Sequence, residues 1–287
     1  MTELGDIEIG LCWGTLERAS LVELIEAAGR HGFPTLSVSP KLLGEALELG
    51  FTPEVLRRRL VDAGVRVRVI DAIAFGLPRS PRPAMSSRVC SLSDEATCFR
   101  AAEILGAPIV NVVHHHGKPA LHAQTVDALG GISRRAAARG LQIVTEFIPG
   151  SGLPTLAAAA ELAEAVNAPN FSILLDTWHL ARSGGTHQDV RELRTGALGA
   201  MQLCDRTELP PGRSCPRLWG RDLPGEGQLR LYELVHAARQ NQPSLTFEIE
   251  VFSEELRTLE IDEAAASASW ATEAWRQALK ARTGYGA

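Results

Sequence analysis

The sequence predicts an α/β protein built as a single (β/α)8 barrel domain over residues 1–287, and three observations predict it. Eight short runs rich in Val, Ile and Leu alternate with eight amphipathic segments. That order is the pattern of a parallel sheet with crossover helices, and eight units favour closure over a doubly wound open sheet. No GxGxxG follows the first strand, so the usual dinucleotide-binding fingerprint of the open sheet is missing. The last four strands each carry an oxygen-bearing side chain at or near the C-terminal end. These are Glu146 in LQIVTEF, Asp176 in FSILLDTWH, Gln202 in GAMQLCD and Glu250 in SLTFEIEVF.

The strands are expected at 7–13, 35–39, 65–74, 109–115, 141–147, 171–176, 198–204 and 244–252. Each is a short apolar, β-branched run of strand length. Helices are expected at 20–31, 53–63, 92–106, 125–139, 155–167, 187–195, 229–241 and 262–282. Thr52 is placed to cap the second helix, whose first residue, Pro53, has no N–H to lose. Gly64 follows its end, where a left-handed residue is wanted. Ser20, Gly29 and Gly32 bracket the first helix. Gly140 follows RRAAAR, which places basic residues at the carbonyl end of the fourth. The stretches 76–90 and 206–228 read as long loops, and both follow a strand, so they belong to the mouth of a barrel where substrate walls are built.

Composition narrows the classes. The chain has 287 residues, 45% hydrophobic and 22% charged, with a net charge of -5; its mean hydropathy is -0.01 and its pI about 5.9. Nucleic acid is not expected as a partner, because phosphate neutralisation needs a basic face. No apolar run approaches the ~18 residues of a membrane span, so no membrane partner is expected. Five cysteines without a CxxC, and the acidic start MTELGDIEIG, lead to the expectation of a reduced, cytoplasmic protein. The expected partner is a small-molecule substrate, and a homo-oligomer is compatible with the sequence.

In a parallel barrel the four strand ends converge, so Glu146, Asp176, Gln202 and Glu250 can surround one divalent cation. Each residue also has a plainer reading. Asp176 can cap the following helix, Glu146 can form an internal salt bridge, and Gln202 alone would mean little. Glu248 and Glu250 face the same way because strands alternate with period two; Glu250 lies nearer the strand end. Three anionic oxygens and one neutral oxygen suit a hard ion, manganese or magnesium ahead of cobalt or zinc. Cys204, two residues past Gln202, is expected as a small core residue.

TEF, LLDTWH, MQLCD, RDLPGEG and EIEVFSEEL together resemble the xylose-isomerase-like, or sugar phosphate isomerase/epimerase, superfamily of TIM barrels, over about residues 7–280. In that family Glu, Asp, His and Glu from successive strands hold the metal. The resemblance carries this ligand set to Glu146, Asp176, Gln202 and Glu250, and EVFSEEL aligns with the family's last-strand motif at Glu250. Gln202 departs from the commoner His and is similar to 3-dehydroshikimate dehydratases and some inosose-dehydratase-like members. The resemblance makes His179 a substrate-contacting acid or base; its plainer reading is a histidine bonded to a carboxylate. One of His114, His115 and His116 is expected at the mouth, with His114 chosen, although a surface histidine run reads as well. Arg221 is a candidate for a substrate carboxylate or phosphate. Glu226 braces its loop, and Trp13 walls the pocket.

The implied chemistry is proton abstraction next to a carbonyl, with Glu146, His179 or Glu250 as the base. Isomerisation or epimerisation of a sugar-like substrate is the leading expectation, and loss of a β-hydroxyl, a dehydratase reaction, is the alternative. Two remoter readings are an endonuclease IV-like nuclease, which the acidic pI and the Gln disfavour, and a non-catalytic binding barrel.

Overall fold

The computed structural model describes residues 7–74, 77–79, 94–114, 122–207 and 220–284. Eight parallel strands close in sequence order, β1 pairing with both β2 and β8. They are β1 (Ile9–Cys12), β2 (Thr35–Val38), β3 (Arg66–Ile73), β4 (Ile109–Val113), β5 (Gln142–Glu146), β6 (Phe171–Asp176), β7 (Leu198–Leu203) and β8 (Thr246–Ile249). Every expected strand is present. His115, His116, Cys90, Cys215 and most of both long loops lie outside the described residues.

The helices are α1 (Leu21–Arg30), α2 (Pro40–Glu48), α3 (Pro53–Ala63), α4 (Glu95–Leu105), α5 (His122–Ala137), α6 (Leu156–Val166), α7 (Thr177–Arg182), α8 (His187–Glu192), α9 (Leu231–Asn241) and α10 (Ile261–Gly284). Ser20 and Glu23 form a reciprocal capping box on α1. The Thr52 hydroxyl accepts from the Val55 N–H at 3.3 Å, a contact worth about 1 kcal/mol. Gly64 closes α3 with φ of 68°, in the left-handed region.

Two helices were not among those expected. In α2 Pro40 stands in the first turn and Pro40, Leu43 and Ala46 are buried, a short stripe with Gly44 in its middle. The six-residue α7 is too short for a periodic signal, and the side chain of Asp176 starts it.

Strand alternation sorts the interior. Leu11, Leu36, Ile70, Ile143, Ile173, Met201 and Phe247 belong to the large apolar cluster between barrel and helices. Val69, Ile109, Val144, Leu174 and Ala200 form a separate apolar cluster inside the barrel. Two residues further along the same strands, on the same inward face, stand Asp71, Asn111, Glu146, Asp176 and Gln202. The interior thus changes from an apolar layer to a polar one at the C-terminal mouth. Register places Asp176 beside Gln202 and Gln202 beside Glu248, a lateral row across β6, β7 and β8.

Candidate functional site

The polar layer holds five buried carboxylates: Asp71, Glu146, Asp176, Glu248 and Glu250. Among the described residues one guanidinium, that of Arg221, pairs with them. Its Nη1 donates to Asp176 Oδ2 at 2.9 Å, to Glu250 Oε2 at 2.7 Å and to the Glu250 carbonyl at 3.1 Å. The guanidinium also lies over the rings of Trp178 and Phe252, at 5.6 and 5.2 Å. An isolated buried carboxylate is costly, so partners or a cation must offset five of them.

One oxygen of Asp176 meets its plainer reading as a helix cap. Its Oδ1 caps α7, accepting from the N–H of Trp178 at 2.6 Å and of His179 at 3.3 Å. Its Oδ2 faces Arg221. Glu146 Oε1 lies 3.2 Å from His179 Nε2, and Oε2 accepts from the Asn111 amide at 3.0 Å. That amide also donates to Asp71 Oδ1 at 2.8 Å. Gln202 does the same on the other side: its Nε2 donates to Glu248 Oε1 and Glu250 Oε1, each at 3.1 Å. Two amides therefore each tie two carboxylates together. Cys12, fully buried, donates its thiol to Glu250 Oε1 at 3.3 Å.

The electrostatics follow from burial. Burial pushes Glu146, Glu248 and Glu250 well above the ordinary carboxylate range, and neighbouring carboxylates add to the rise. Asp71 is raised by burial too, despite the hydrogen bonds from Asn111 and Trp13. Burial acts on Asp176 in the same sense, yet Arg221, His179 and the Trp178 N–H outweigh it, and Asp176 ends below its usual value. Burial depresses His179 to about 4. A neutral imidazole therefore faces a carboxyl group that favours its proton. Both shifts disfavour a charged His179–Glu146 ion pair at this 3.2 Å contact.

The loop carrying Arg221 is tied to the end of β7. Asp205 and Asp222 exchange backbone hydrogen bonds at 2.8 and 2.9 Å. The Asp205 carboxylate accepts from the N–H of Arg206, Leu229 and Gly225. Gly227 packs so closely on Arg206 that a Cβ there would strike its backbone. Glu226 is exposed, so its side chain does not brace the site.

The structure brings Glu146, Asp176, His179, Gln202, Arg221 and Glu250 into one network. Trp13 joins it, donating from Nε1 to Asp71 Oδ2 at 3.1 Å and meeting Phe252 edge-on. His114 stands apart: its Nε2 donates to the Pro78 carbonyl at 3.0 Å, and no described hydrogen bond joins it to the carboxylates. It lines a separate cavity of about 210 Å³ with Thr145 and Leu153. Sequence reasoning missed Asp71, Asn111 and Asp205. Asn111 interrupts the otherwise apolar IVNVV, and Asp71 interrupts the apolar half of VRVRVIDAIA, the signal that marks a buried polar group.

The donor chemistry suits a divalent cation, but the described residues offer two separate groups with ligand atoms within 4.8 Å of one another, Glu146 with Asp176 and His179, and Cys12 with Asp71 and Glu250, so Glu250 stands in a different group from Glu146 and Asp176. Gln202 Oε1 is buried without a hydrogen-bond partner. It is a neutral oxygen donor with nothing yet to donate to. Oxygen-rich, carboxylate-dominated donors favour manganese or magnesium over softer ions.

Fold and site together define a (β/α)8 barrel with an acidic centre at its C-terminal mouth. The chain belongs to the xylose isomerase-like TIM barrel family, whose model matches residues 22–279. The inosose isomerase of Halalkalibacterium halodurans is 22% identical over 268 residues, covering 90% of this chain and 93% of the relative. The solved structure of an IolI protein with a bound zinc atom superposes with a TM-score of 0.81 at 20% identity, covering 95% of this chain and 99% of that one. The probable 3-DHS dehydratase AsbF of Bacillus anthracis superposes with a TM-score of 0.69 at 15% identity, covering 93% and 98%. Isomerase and dehydratase names thus both occur among proteins similar in fold. Among the described residues no helix is long and apolar enough to cross a membrane.

Proposed function

We propose that this protein is a divalent-metal-dependent isomerase or epimerase acting in the cytoplasm on a polyhydroxy carbonyl substrate. The observation that carries the reading is the quartet Glu146, Asp176, Gln202 and Glu250 at successive strand ends, with the Gln202 carbonyl oxygen buried and unpartnered. These four residues would hold the ion, manganese or magnesium. Bound there, the ion would supply a Lewis acid that polarises the substrate carbonyl and stabilises an enediolate.

The protein's own groups divide the remaining work. Asp176, held ionised beside Arg221, serves as ligand and helix cap rather than base. Glu146 Oε1 and His179 Nε2 stand 3.2 Å apart, so a proton taken by one from a substrate carbon or oxygen can pass to the other. Glu250 offers a second carboxylate on the other side of the mouth. Return of the proton to a neighbouring carbon gives an isomer, and return to the opposite face gives an epimer. Arg221 Nε is buried without a partner and is the donor left for a substrate oxygen. Trp13 and Phe252 wall the site and exclude water.

A dehydratase of the 3-dehydroshikimate or inosose type is the second reading, favoured by Gln202 in place of the family's commoner His. One assay separates them. Manganese-loaded protein is incubated in deuterated water with keto-sugars, inososes and 3-dehydroshikimate. An isomerase or epimerase exchanges solvent deuterium into carbon without loss of water. A dehydratase forms a new carbon–carbon double bond, visible by its ultraviolet absorption. Loaded protein that does neither with any of these would count against the reading.

A further inference from the structure

We propose that Glu248 is a positioning residue: it holds the Gln202 amide so that the carbonyl oxygen, not the NH2 group, faces the cation site. The proposal rests on the reading of Gln202 as a ligand. A glutamine amide has two ends of nearly the same shape and opposite hydrogen-bonding character. One end can ligate a cation; the other repels it. Some neighbour has to decide which end points inward.

Glu248 is placed to do so. It stands directly beside Gln202 in the β7–β8 register and is 2% exposed. Its Oε1 accepts from Gln202 Nε2 at 3.1 Å, and the same Nε2 reaches Glu250 Oε1 at 3.1 Å. A flipped amide would give up both of these donated hydrogen bonds and could replace them only where Glu248 or Glu250 supplies a proton. The NH2 is therefore fixed toward β8, and Oε1 is the end left buried and unpartnered. Glu250 is itself a candidate ligand, so its oxygens are needed elsewhere once a cation is held. Glu248 is the acceptor that remains.

The logic matches the carboxylates that orient metal-ligating histidines, where the outer partner fixes which atom faces the ion. Glutamine needs such a partner as much as histidine does, because both can present a donor or an acceptor. Alternation puts Glu248 and Glu250 on one face. The sequence alone therefore makes them rivals for one role, whereas the register gives each its own.

The test is manganese(II) binding to the full chain, measured by isothermal titration, with thermal melts to verify folding. Glu248→Met removes the acceptor at similar volume and should weaken manganese binding about 10–100-fold. Glu248→Gln leaves an amide that can either accept or donate, so it should weaken binding too, but by less than Glu248→Met. Adding Gln202→Glu to the Met variant should restore binding, since a carboxylate presents an oxygen whichever way it turns. Glu248→Leu repeats the comparison if the Met variant does not fold. Unchanged affinity in the folded Met or Leu variant overturns the proposal. So does a Glu248→Met, Gln202→Glu double variant that binds manganese no better than Glu248→Met. Asp176→Ala distinguishes this failure from failure of the centre. If that variant keeps its manganese, the ligand set itself is wrong; if it loses manganese while Glu248→Met does not, the role of Glu248 alone is wrong.

Discussion

Asp176 does two jobs with two oxygens, and a pair of substitutions separates them. Asp176→Asn keeps an Oδ1 that can accept from the Trp178 and His179 N–H groups at 2.6 and 3.3 Å. It loses the charged Oδ2 that meets Arg221 at 2.9 Å. Asp176→Ala loses both. Breaking a buried ion pair costs about 3–5 kcal/mol. Arg221 keeps Glu250 Oε2 at 2.7 Å, so the lower end, about 3 kcal/mol, applies to Asn. Losing the cap adds about 1 kcal/mol in Ala. For a chain of this length 1 kcal/mol moves Tm by about 2 °C. Without metal, the Asn variant should melt about 6 °C below wild type and the Ala variant about 8 °C below. Both should retain no stoichiometric manganese after dialysis, measured by plasma mass spectrometry, and neither should gain Tm on adding manganese. An Asn variant that still holds one manganese per chain would refute the ligand assignment. Equal melting temperatures for Asn and Ala would refute the division of the two oxygens.

Three further outcomes are expected. His179→Asn should lower turnover by about 10²–10⁴-fold, as removal of a proton-transfer group does, while isothermal titration finds manganese affinity little changed. Arg221→Lys should raise KM for an anionic substrate in steady-state assays, because an ammonium cannot reproduce the planar fork over Trp178 and Phe252. The third concerns pH. Burial raises Glu146, Glu248 and Glu250 in the folded protein. Raised carboxyl groups contribute stability that is full below their unfolded values and is lost as pH rises through their folded ones. His179, depressed to about 4, acts in the other direction, and its contribution falls away as pH drops below its ordinary value. Calorimetry should find the metal-free protein losing stability as pH climbs above the ordinary carboxylate range, and saturating manganese should suppress that loss. A flat metal-free profile would contradict the buried-acid picture.

What could be read locally was read well. The strands are short, mostly apolar runs, because a parallel strand buried on both faces needs apolar residues on each. Asp176 and Glu146 stood out as charges at the ends of such runs. His114 was chosen on alternation within a histidine run, and alternation says which face a side chain takes, not how far it lies from the centre. The helix α7 escaped because so short a helix has no period to detect, although Asp176 was read as able to cap a following helix.

The barrel and the strand ends that carry the acidic centre are both legible in the linear sequence. Both follow from period and order along the chain, and chain order is enough to bring successive parallel strands to one mouth. Which side chains meet at that mouth depends on the folded arrangement. The register between strands sets the depth of each side chain, and it put Asp176, Gln202 and Glu248 in one row. The loop after β7, tied down by Asp205, delivered Arg221 to Asp176 and Glu250. Asp71 and Asn111 joined the centre through hydrogen bonds spanning 40 and 35 positions of the chain. Such contacts depend on strand height, barrel closure and loop path together, and no local pattern encodes all three.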